Sequence, residues 1–166
     1  MNFKSLRELL FIFTSWWNPV TENNNRLRLY HAALSFLGTD VTPKDEVPDD
    51  YACAETIWTL LSLVDPNAFG ITKQISTYYF YKALKESTKF QKVDAPLEGD
   101  LCISPTGFVS HKSKIKSGHM GIVMENRKIG ANDSFSGKFI NDRYTIESWK
   151  KHWVDNGYKM DFFRVL

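Results

Sequence analysis

The chain has 166 residues, 43% hydrophobic and 14% aromatic, which is enough apolar side chain for one domain with a real core and too much for a disordered polymer. Lys and Arg number 21 against 19 Asp and Glu, a net charge of +2, which excludes the strong basic field that nucleic-acid binding needs and leaves only a weak preference for an anionic wall or membrane surface. Two cysteines cannot build a disulfide framework, and four histidines without HxxxH or CxxC spacing give no metal signature. Two free thiols are the simplest reading, with a single Cys53 to Cys102 bridge left open, and neither metal nor cofactor is expected.

Residues 1–20 form an expected N-terminal amphipathic helix. Lys4 and Arg7 precede an apolar run from Leu9 to Trp17 that resembles the charged and apolar regions of a secretory signal, but Glu8 interrupts it and no small-x-small cleavage site follows. The run is also far short of the roughly 20 residues a membrane span needs. Phe3, Leu6, Leu10, Phe13 and Trp17 recur at three- and four-residue spacing, so the helix is expected to be retained and to pack on its domain or dock to a membrane or partner.

Asn18-Pro19 breaks that helix, and residues 21–166 read as a single domain. A second helix follows with Leu27, Tyr30, Ala33, Leu34 and Leu37 as its apolar face and Gly38 as its stop. His31 lies on it with no acidic or thiol neighbour at helical spacing. A loop with Pro43 and Pro48 leads past Asp49 and Asp50 to a helix beginning at Cys53, whose Ile57, Trp58, Leu60, Leu61 and Val64 give a broad buried face. Residues 76–85 predict another helix or an extended aromatic stretch. From Val93 the pattern turns to strands: 101–104, then 118–125 after a lysine-rich loop holding His111, a two-residue turn at Asn126-Arg127, and a return strand over 128–134. A last helix over 144–153 carries His152, and a final strand runs over 159–166.

A thiol in the first turn of a helix meets unpaired backbone N–H groups and the positive end of the dipole, which favour the thiolate. A hydrolytic thiol also needs a base to take and return its proton, and that base needs a polar partner to hold its tautomer. Cys53, His119 at a strand start between Gly118 and Gly121, and Asn132 on the paired strand are the right types in a workable order. With a two-residue turn, Gly121 lies opposite Asn132 and His119 falls within two residues of it, so an asparagine carbonyl could accept from the imidazole. Cys102, mid-strand between Leu101 and Ile103, is expected to be an inert buried thiol, and His31, His111 and His152 to be dispensable.

Tyr51-Ala-Cys-Ala-Glu-Thr-Ile-Trp58, Glu98-Gly-Asp-Leu-Cys-Ile-Ser104, Gly118-His-Met-Gly-Ile-Val123 and Asn132-Asp-Ser134 together resemble the NlpC and CHAP groups of papain-like cysteine peptidases and amidases, best of all phage and bacterial peptidoglycan hydrolases. The resemblance covers roughly residues 34–166. It implies an α+β papain-like fold with the nucleophile helix packed on an antiparallel sheet, and cleavage of amide bonds in cell-wall peptides by a monomer made in the cytoplasm and acting at the envelope or carried in a virion. Relatives often carry Asp-Cys-Ser-Gly where this chain has Ala52-Cys53-Ala54-Glu55. The third position is read as Asn132, with Asp133 the alternative, and the Cys53 backbone N–H as the oxyanion donor. A non-catalytic wall-binding or virion module of the same fold, and an acyltransferase on the same scaffold, remain open alternatives.

Overall fold

The computed structural model describes residues 25–42, 52–107 and 117–166. The expected N-terminal helix, His111 and the prolines before the cysteine helix lie outside them. The described elements are helices α1 (Asn25–Ser35), α2 (Cys53–Val64) and α3 (Thr77–Glu86), strands β1 (Phe90–Val93), β2 (Leu101–Ser104), β3 (His119–Val123), β4 (Lys128–Asn132) and β5 (Phe139–Thr145), helix α4 (Ile146–Trp153) and strand β6 (Asp161–Val165). The six strands make one sheet in the order β1-β6-β2-β3-β4-β5, every neighbouring pair antiparallel. The architecture is therefore α+β.

Strand parity divides the core between the two faces of the sheet. Leu101, Ile103, Met120 and Ile122 point to one face, where they meet Ile57, Leu60 and Leu61 of α2 and Leu29 and Ala33 of α1. Cys102, Val123, Ile129 and Ala131 point to the other, where Trp149 and Trp153 of α4 and Tyr158 cover them. Helix α4 is fixed at its start by a capping box in which the Ser148 N–H donates to Thr145 Oγ1 at 3.2 Å and the Thr145 N–H donates to Ser148 Oγ at 2.8 Å. Across β2 and β6 the guanidinium of Arg164 forks onto Asp100, with Nε to Oδ1 at 2.9 Å and Nη2 to Oδ2 at 2.7 Å. Asp100 is fully buried, and the two paired bonds are what make that tolerable.

Two sequence expectations are corrected and one open alternative is resolved. The buried face of α1 is Leu29, Tyr30, Ala32 and Ala33, while Leu27 and Leu34 are exposed. Residues 77–86 are helical and not extended. The β3–β4 turn has three residues, Glu125–Arg127, with Asn126 and Arg127 at φ of 56° and 58° and the Met124 N–H closing onto the Lys128 carbonyl at 2.8 Å. That extra residue moves the register by one, so Gly121 faces Ala131 and not Asn132. Asn132 is thereby turned to the α2 face of the sheet, since Ile129 and Ala131 occupy the other.

Candidate active site at an open rung of the sheet

Helix α2 begins at Cys53 without a side-chain cap; Ala52 stands at the cap position and supplies only its carbonyl, which accepts from the Thr56 N–H at 2.8 Å. The first-turn N–H groups are thus left for the thiol. Cys53 Sγ accepts from the backbone N–H of Met120, of Ala54 and of Cys53 itself.

The Met120 donor comes from a gap in the ladder. In antiparallel strands every second pair exchanges both its N–H and its C=O. The Met124 N–H donates to the Lys128 carbonyl across the turn, while the Lys128 N–H closes the turn onto Glu125; with that parity Ile122 with Gly130 and Met120 with Asn132 are the next two hydrogen-bonding rungs, yet strand pairing stops at Gly121 and Ala131. At the open rung the Met120 N–H goes to the Cys53 thiol, and the Asn132 carbonyl accepts from the His119 imidazole. Two backbone groups that would otherwise bond each other hold the thiol and the imidazole instead. The structure ties His119 to Asn132 and Cys53 to the Met120 N–H of the same rung, but the asparagine contributes its main chain, and its side chain is buried on the α2 side.

The surroundings keep both groups uncharged. Burial pushes the Cys53 thiol up to about 11, against the lowering effect of its three N–H donors. This corrects the expectation that the helix N-terminus would favour a thiolate: desolvation outweighs the N–H groups. Burial also pulls His119 down to about 4, helped by the positive charge of Arg143 and by His152, while the bond to Asn132 and the carboxylate of Asp133 act the other way. Cys102, fully buried among Val123, Ile129 and Trp149, is raised well above the usual thiol range by burial and by Asp161.

Asp133 is committed elsewhere. Its Oδ2 accepts from Ser136 N at 3.1 Å and Ser136 Oγ at 2.8 Å, and its Oδ1 pairs with Arg143. Burial alone would raise its carboxyl, but those bonds hold it below the usual range. His31 lies on α1, edge-on to Tyr30. His152 lies on α4, its ring centroid 4.4 Å from that of Trp153, and is lowered by burial and by Arg143.

Sequence reasoning missed the aromatic wall behind the imidazole. His119 stacks nearly parallel on Trp149 and Trp153, with centroids 5.2 and 5.4 Å away and planes 15° and 17° apart, and Tyr144 meets it edge-on at 6.3 Å. The signal was available: Trp149 and Trp153 are four apart on a helix and so share one face. Glycines admit the neighbouring chain segments. A Cβ on Gly118 would lie 2.3 Å from the Ser104 carbonyl oxygen, and one on Gly121 would lie 2.5 Å from the Gly130 carbonyl oxygen.

Among the described residues no group of three or more His, Cys, Asp and Glu is placed to hold a metal ion, and no helix is long and apolar enough to cross a membrane. Compared with known proteins, the chain matches no family model and no curated protein.

Proposed function

We propose that the chain is a papain-like cysteine hydrolase of the NlpC/CHAP kind that cuts amide bonds in peptidoglycan peptides. The observation that carries this reading is the open rung, where a helix-borne thiol and an oriented imidazole converge on adjacent main-chain groups. A neutral thiol and a neutral imidazole, as burial leaves Cys53 and His119, are the resting form of a pair that makes its nucleophile only as substrate arrives. His119 takes the proton from Cys53 Sγ as the sulfur attacks the scissile carbonyl. The resulting oxyanion is stabilised by the Cys53 backbone N–H, a kind of donor worth about 3 to 4 kcal/mol of barrier. The imidazolium then gives the proton to the leaving amine as the C–N bond breaks, and a water activated by the same imidazole hydrolyses the thioester and returns the thiol.

The same reading makes the protein a monomer needing no cofactor, acting at the bacterial envelope or from a virion on a peptidoglycan peptide, with no nucleic-acid partner. One observation favours the alternative of a non-catalytic wall-binding module: the thiol is buried and raised to about 11. Incubating wild-type and Cys53→Ser proteins with purified cell walls and identifying the released ends separates the two. The hydrolase releases new amino ends and no new reducing sugar ends, and Cys53→Ser releases neither. Equal release by both proteins, or none by wild type, removes the hydrolase reading.

A further inference from the structure

We infer that Trp149, anchored by Ser104, is a positioning residue that sets the plane and the dryness of the His119 imidazole. The inference rests on the proposed role of His119 as base. Ser104 ends β2 directly opposite His119 on β3, so both side chains leave the same face of the sheet. There the Trp149 Nε1–H donates to Ser104 Oγ at 3.0 Å, with both residues fully buried. The indole so fixed lies under the imidazole at 15° to its plane, and Trp153 continues the surface with its ring centroid 4.2 Å from that of Trp149. Trp153 has no such anchor: its Nε1–H is buried without an acceptor among the described residues.

A flat apolar surface along one face of the ring leaves its edge as the direction for hydrogen bonds. One such bond goes to the Asn132 carbonyl, which fixes the ring's rotation in the plane the indoles define. The charged and titratable groups around the imidazole are Arg143 and Tyr144 on β5, His152 on α4 and Asp133 after β4. None of them belongs to the Ser104 and Trp149 pair, so loosening that pair changes the packing and hydration of the ring without removing a charge.

The test is the titration of His119 by NMR in the full chain, with kcat and KM on cell-wall fragments measured beside it, for Ser104→Ala, Trp149→Phe and the double variant. Each single change breaks the same bond, and Trp149→Phe retains an aromatic ring. Admitting water to the ring is expected to raise the His119 pKa by about one unit, and misorientation to lower kcat by about tenfold at unchanged KM. Because both changes act through one bond, the double variant should show no more than the larger single effect. If Trp149→Phe fails to fold, Ser104→Ala decides alone. Variants that melt earlier while His119 titrates as in wild type would overturn the inference and leave Trp149 a core residue. A shifted titration in a protein whose wild type cuts no wall would uphold it and remove only the hydrolase reading.

Discussion

At the scale of single residues, the main-chain role of Asn132 separates this site from a triad built of three side chains. Asn132→Ala keeps the carbonyl that accepts from His119, so hydrolysis is expected to fall by less than about tenfold, whereas His119→Ala should cost at least 10²-fold, the lower end of general acid–base effects. Initial rates on cell-wall fragments decide this; equal losses would return the role to the side chain. A limiting thiol reagent should modify Cys53 ahead of Cys102, because Cys102 is fully buried and Cys53 retains 7% exposure beside N–H donors. Peptide mapping checks it, and preferential labelling of Cys102 contradicts it. The places of Cys53 at a helix start and His119 at a strand start were legible because reactive residue types beside an apolar helical pattern and a glycine-flanked strand stand out in their own side chains. The Met120 N–H was not, since any residue supplies one and only the register reveals that it is unpaired.

At the scale of elements, the glycines set how closely strands approach. A methyl on Gly121 would meet the Gly130 carbonyl oxygen at 2.5 Å and Ile129 Cγ2 at 2.6 Å. Gly121→Ala is therefore expected to destabilise by about 1 to 3 kcal/mol and to move β4 with its Asn132 carbonyl. Urea denaturation and activity read the two effects; an unchanged midpoint would mean that the strands yield freely. The central strands β2 and β3 and helix α2 were readable because burial imposes long apolar runs on them. The outer strands β1 and β5 were not read: they are the sheet's two edges, and β5 carries Asn141-Asp142-Arg143 at its centre, with no alternation to show a strand. The one-residue error at Glu125–Arg127 came from a non-glycine turn with two left-handed residues, which composition does not announce.

At the scale of the whole molecule, two groups of the site tie stability to pH. His119 titrates near 4 in the fold against the usual 6.5, so as pH falls from 6.5 to 4 the unfolded chain takes the proton first and stability is lost, by about 3 kcal/mol. Cys53 is raised from 9.0 to about 11, so stability is also lost as pH climbs through that interval, because the unfolded thiol ionises first. Urea midpoints should therefore form a plateau between about pH 6.5 and 9, and His119→Gln should flatten its acid side above pH 4. A midpoint insensitive to His119 across that range would contradict the buried, neutral imidazole. Asp100→Ala, which strips the fully buried partner from Arg164, should cost about 3 to 5 kcal/mol and show as a lowered melting temperature. The central claim, that Cys53 attacks a peptide carbonyl with His119 as its base, is met most directly by quenching wall digests in acid and mapping the protein by mass. Wild type should carry a wall-derived acyl group on the Cys53 peptide, and His119→Ala should carry none. Release of amino ends with the Cys53 peptide unmodified at every time would contradict it.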